Sequence, residues 1–86
     1  MHDKLKIKIE VEQDPAHTEA RATLRLAGRE YHGSGRARRN PVDPNVPMVG
    51  EELAVARALS DLSHELVEAA ADGIERFEGH PVELFA

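Results

Sequence analysis

The sequence predicts an α+β fold: a three-stranded antiparallel meander, β-β-β-α in chain order, packed on one long helix and followed by a short C-terminal helix and tail. Three observations carry this. Residues 4 to 12, KLKIKIEVE, alternate apolar and charged side chains without exception. Residues 18 to 27 and 30 to 38 resume that alternation on either side of a glycine turn, and residues 51 to 71 change to a helical period.

In the first strand Leu5, Ile7, Ile9 and Val11 fall on one side and Lys4, Lys6, Lys8, Glu10 and Glu12 on the other. That is the pattern of a strand with one face buried. Asp14-Pro15 supplies turn chemistry. In the second strand Ala20, Ala22, Leu24 and Leu26 face inward, and Glu19, Arg21, Thr23 and Arg25 outward. Gly28-Arg29 fits a two-residue hairpin turn. The register this implies sets Leu26 against Tyr31, Leu24 against Gly33, Ala22 against Gly35 and Ala20 against Ala37. The third strand then has Gly33, Gly35 and Ala37 as inward positions, small enough for a helix backbone to approach closely.

Residues 39 to 50 contain Pro41, Pro44 and Pro47 and read as a stiff connection, with Gly50-Glu51-Glu52 as the helix start. On a helical wheel Val55, Ala56, Leu59, Leu62, Leu66 and Ala70 form the stripe expected to meet the sheet. Arg57, Asp61, His64, Glu65 and Glu68 lie opposite, toward water. Asp72 with Glu75 suggests the cap of a second short helix over residues 73 to 78, ended by Gly79 and Pro81. The tail PVELFA is strand-like.

With 86 residues the chain is long enough for one domain, and a core of that size buries only about 60% of the unfolded surface. The absence of cysteine removes disulfides and thiolate metal sites as reinforcement. Oligomerisation is the cheapest compensation for so small a core, so a homodimer is expected. There is no apolar run of membrane-spanning length and no signal-peptide pattern in MHDKLKIKIE, so the expectation is a cytoplasmic protein without a membrane partner. Tyr31, Phe77 and Phe85 are too few aromatics for a base-stacking platform.

No catalytic chemistry is legible. The five histidines are scattered, and His64 with Glu68 has the spacing of a ligand pair but lacks a third member. Gly33-Ser34-Gly35 lies within a strand and lacks the Gly-Lys-Ser/Thr of a phosphate loop. No enzyme activity, metal, cofactor or small-molecule substrate is expected.

Charge is distributed more informatively. The chain has a net charge of −5, yet residues 1 to 40 carry nine Lys or Arg against six Asp or Glu. On the outward strand positions Lys4, Lys6, Lys8, Arg21, Arg25, Arg36 and Arg38 stand against Glu10, Glu12 and Glu19. Arg39 extends the cluster into the proline segment. Such a face suits phosphate contacts, and it equally suits an acidic helix of a partner or simple solvation of exposed strands.

The stretch GSGRARRNPVDPNVPMVGEELAVARALSDL, residues 33 to 62, resembles the signature of a small actinobacterial family of unknown function. The resemblance implies a fold like that of double-stranded-RNA-binding domains. It also implies a homodimer, and a link to hypoxia and dormancy programmes through likeness to ribosome hibernation promoting factors. It brings no catalytic or binding residue with it. One departure is plain: those RNA-binding domains present lysines where this helix begins with Glu51-Glu52, which repel phosphate. The first expectation is therefore a stress or dormancy protein that contacts the ribosome or structured RNA through its sheet face. The alternative is a homodimeric interaction module that binds no nucleic acid.

Overall fold

Alternation with a period of two builds three strands here, and a change to the helical period builds one helix. A computed structural model describes residues 2–38 and 47–78 of the chain. Its elements are β1 (Ile7–Gln13), β2 (His17–Leu26), β3 (Arg29–Arg38) and α1 (Pro47–Glu78), and the antiparallel sheet has the order β1-β2-β3. The helix lies on one face of that sheet. Arg39, the rest of the segment up to residue 46, and the tail from residue 79 lie outside the described residues.

The β1–β2 turn is held by one side chain. Asp14 Oδ1 accepts the backbone N–H groups of Ala16 and His17, each at 2.8 Å. These amides bind the charged carboxylate, which holds the Asp14 carboxyl below its ordinary 3.8. The preference favours the folded turn above the unfolded value and is lost as pH falls through the folded one.

Between β2 and β3 the turn is Ala27-Gly28, with both residues at positive φ, 52° and 77°. This corrects the expected Gly28-Arg29 turn and moves the register by two residues. Leu24 faces Tyr31, Ala22 faces Gly33, Ala20 faces Gly35 and Thr18 faces Ala37. Because the displacement is even, every side chain keeps its expected face. Ala27 takes a left-handed conformation that costs a residue with a Cβ about 1 kcal/mol, so glycine placement alone located the turn one residue late.

The core is made of small residues: Ala20, Ala22, Leu24, Ala37, Ala54, Ala58 and Leu62 are its buried apolar members among the described residues. Glycines decide how they meet. A Cβ at Gly33 would overlap the Ala58 carbonyl oxygen and stand 2.8 Å from the Leu62 Cα. One at Gly35 would overlap the Ala54 carbonyl oxygen and stand 2.8 Å from the Arg57 Cβ. The helix backbone therefore rests directly on the β3 backbone, as the small inward positions suggest.

The seat of the helix corrects its expected stripe. Ala54, Ala58 and Leu62 are buried, Val55 and Leu66 are partly buried, and Ala56, Leu59 and Ala70 are exposed. The smallest side chains, not the largest apolar ones, are selected at the glycine contacts. The helix also starts earlier than expected, with Pro47 at its first position, where a missing N–H costs nothing. Glu51 and Glu52 consequently lie beyond the first turn.

Residues 73 to 78 do not form a separate helix; α1 continues through Asp72 and Gly73 to Glu78. Glycine in a helix interior costs only about 1 kcal/mol relative to alanine, and Ala69, Ala70 and Ala71 before it support continuation. At 32 residues the helix is about 48 Å long, whereas a ten-residue strand spans about 34 Å. Its last turns run past the sheet, and a Cβ at Gly73 would meet nothing within 4 Å.

Two glycines should thus respond oppositely in chemical denaturation. Gly35→Ala is expected to lower stability by about 3 kcal/mol or more through overpacking, and Gly73→Ala to raise it by about 0.5–1 kcal/mol. A neutral Gly35→Ala would contradict the close helix seat.

Candidate interaction surface

The outward sheet face is the first place to look for function, and its charges are more mixed than expected. On the strands Lys8, Arg21, Arg25, Arg36 and Arg38 share it with Glu10, Glu12, Glu19 and Glu30. Lys4 and Lys6 lie just before β1 and are exposed. Glu30, absent from the expected acidic set, faces Arg25 across the β2–β3 pair. Arg21 faces Glu10. Lys8 lies 3.7 Å from Glu10, and the Arg36 guanidinium donates to the Glu19 carboxylate. The sheet brings the strand-borne cations together but interleaves them with carboxylates. One cross-strand pair is unfavourable, Glu12 opposite Glu19.

The two sheet edges differ. At the β3 edge, outward backbone groups are taken up by α1. Arg57 Nη1 donates to the Arg36 carbonyl at 2.6 Å, Asp61 Oδ2 accepts from the Ser34 N–H at 2.9 Å, and Glu65 Oε2 accepts from the His32 N–H at 3.3 Å. A helix advances about 6 Å in four residues and a strand about 6.8 Å in two. Residues 57, 61 and 65 therefore keep step with 36, 34 and 32 as the helix runs antiparallel to β3. Side chains expected to face water serve instead as a surrogate fourth strand. The signal was present in that spacing, and a wheel that scores only hydrophobicity does not register it.

At the other edge, β1 has no neighbouring strand among the described residues. Leu5, Ile7 and Ile9, expected to be buried beneath the helix, keep 57%, 45% and 38% of their surface exposed. The cause is the off-centre seat of α1, which the glycine contacts and the β3 clip hold toward β3. A shallow groove runs between β1 and the helix, lined by Ile7, Leu59, Leu62, Ser63, Leu66 and Val67, and it is overwhelmingly apolar.

No cluster of three or more His, Asp or Glu that could hold a metal ion occurs among the described residues. His64 Nδ1 lies 3.0 Å from the Ser60 carbonyl, a backbone partner one turn earlier in the helix. No described helix is long and apolar enough to cross a membrane.

The β3 clip can be tested amide by amide. Asp61→Ala should make the Ser34 amide exchange faster with solvent while the His32 amide, held by Glu65, keeps its protection. Unchanged Ser34 exchange would show that the carboxylate does not hold it.

Comparison with known proteins places this arrangement among relatives. The chain is 41% identical over 78 residues to the uncharacterized protein Mb1767 of Mycobacterium bovis, covering 91% of this chain and 83% of that protein. It is 42% identical over 76 residues to the uncharacterized protein Rv2632c of Mycobacterium tuberculosis, covering 88% and 82%. The crystal structure of Rv2632c superposes with a TM-score of 0.86 at 38% identity, covering 94% of this chain and 96% of that one. The Rv2632c-like family model matches residues 3–83. A sheet-and-helix unit shared at this level of sequence and structure makes the chain a member of the Rv2632c-like family.

Proposed function

We propose that this protein is a non-enzymatic self-association module, a homodimer whose working surface is the apolar strip along β1 and the adjoining side of α1. The observation that carries this reading is the exposure of Leu5, Ile7 and Ile9 along the apolar side of β1, where Ile7 also lines an apolar groove with Leu59 of the helix. Contiguous exposed apolar surface marks interaction sites in proteins that otherwise hide it. The need is energetic as well. Leu62 is the one large side chain that is fully buried among the described residues, and a core of alanines removes little apolar area from water. Pairing two copies through the strip adds the burial that each lacks.

A second reading is that the outward face contacts ribosomal or other structured RNA in a stress or dormancy setting. It is supported by Lys4, Lys6, Arg21, Arg25 and Arg38, which form no ion pair with another described residue. The interleaved Glu10, Glu12 and Glu30 oppose it, because each repels phosphate at the same surface.

Sedimentation analysis separates the readings. The wild-type chain should be dimeric at micromolar concentration, and Ile7→Lys should be a folded monomer, since Ile7 is already half exposed. A wild type that remains monomeric would refute self-association. Co-sedimentation with ribosomes at low salt, abolished by Arg21→Glu with Arg25→Glu and Arg38→Glu, would favour the RNA reading instead.

A further inference from the structure

The backbone of β1 says how a second copy would be seated. In an antiparallel sheet each residue directs its N–H and C=O toward the same neighbour, and successive residues alternate sides. The N–H groups of His32 and Ser34 point away from β2 toward the helix. Even-numbered β3 residues therefore face outward, and the odd-numbered ones bond to even-numbered β2 residues. Odd-numbered β2 residues then bond to β1, as the 2.9 Å bond from the Asp14 N–H to the His17 carbonyl confirms. By the β1–β2 register it is Lys8, Glu10 and Glu12 whose backbone groups meet β2. Those of Ile7, Ile9 and Val11 are aimed at the open edge.

The side chains of that edge read as a charge palindrome. Lys6 and Lys8 precede Ile9, and Glu10 and Glu12 follow it, all on the outward face. We infer that β1 pairs antiparallel with β1 of a second copy about a twofold axis at Ile9. Lys6 and Lys8 then lie opposite Glu12 and Glu10 of the partner subunit, and the two sheets join into one of six strands. This rests on the self-association reading and specifies its geometry.

Neighbouring registers are worse. Moving the axis to Lys8 sets Lys8 against its own copy, and moving it to Glu10 does the same for that carboxylate. An axis between residues matches outward-facing backbone with backbone already bonded to β2. The Ile9 register gives opposite charges at all four of these cross-strand contacts, each of which stabilises a strand pair. It also sets Lys6 of the partner subunit beside Glu12, whose neighbour within the chain is Glu19. On the inward face Ile9 meets its own copy and Ile7 meets Val11, merging the two apolar strips between the helices. The β3 edge is less available to a second strand, because Arg57, Asp61 and Glu65 already occupy the Arg36 carbonyl and the Ser34 and His32 N–H groups.

Charge exchange in the full-length chain tests this. K6E/K8E and E10K/E12K should each weaken the dimer by at least roughly tenfold, and an equimolar mixture of the two should restore a heterodimer. Circular dichroism identifies each variant as folded, which is expected because all four side chains are exposed. The chain has no cysteine, so single-cysteine variants read the register: oxidised Ile9→Cys should give a covalent dimer and Leu5→Cys should not. Because the charges lie opposite the apolar face, a dimer indifferent to both charge variants but broken by Ile7→Lys would overturn the strand pairing and leave self-association standing. Two monomeric charge variants that do not recombine, or cross-linking at Leu5 in place of Ile9, would also overturn it. A monomeric wild type would overturn both.

Discussion

The close seating of α1 on Gly33 and Gly35 is the constraint on which the rest of the structure depends. Without Cβ atoms at these positions the helix backbone descends onto β3, and the helix residues that face them must themselves be small, hence Ala54 and Ala58. A helix seated there is off the centre of a three-stranded sheet. It covers β2 and β3 and leaves β1 exposed. The exposure of Ile7 and Ile9 is thus a consequence of two glycines on a different strand.

The same seat makes the two edges of the sheet chemically unequal. On the β3 side it brings Arg57, Asp61 and Glu65 alongside backbone groups that would otherwise invite strand addition, a hazard that sheet proteins generally blunt with charge or cover. On the β1 side no such helix contact to the backbone of Ile7, Ile9 or Val11 occurs among the described residues. Protection there is left to the lysines and glutamates of the outward face. Two lysines on one side of Ile9 and two glutamates on the other repel most registers of self-pairing and favour one. An edge defended in this way is selective more than closed, which is the logic of specificity through disfavoured alternatives. Both proposals draw on this asymmetry.

Much of the fold was legible in the sequence because it follows from local periodicity. Strict alternation gave the three strands and the face of each side chain, and Gly33, Gly35 and Ala37 announced a close helix contact. What was not legible depended on relative placement. Turn chemistry read from Gly28 alone displaced the β2–β3 register by two residues, since Ala27 accepts positive φ at modest cost. The helical wheel ranked residues by hydrophobicity and so favoured Leu59 over Ala54, whereas the glycine seat favours the smallest side chain. Gly73 looked like a boundary, but one glycine among strong helix formers does not end a helix. For the candidate site, Lys8, Arg21, Arg25, Arg36 and Arg38 lie on the outward strand positions read from the alternation, Lys4 and Lys6 fall before β1 and Arg39 outside the described residues, while Glu30, the β3 clip and the exposed β1 strip emerge only when the elements are assembled.

The most direct test of this account is residue-resolved hydrogen exchange across a dilution series. The β3 amides of His32 and Ser34, held within one chain, should be protected at every concentration. The outward amides of Ile7, Ile9 and Val11 should be protected when the protein is concentrated and lose that protection on dilution, together and with one midpoint. Protection of these β1 amides that does not depend on concentration, or its absence throughout, would contradict an open edge closed by a second copy.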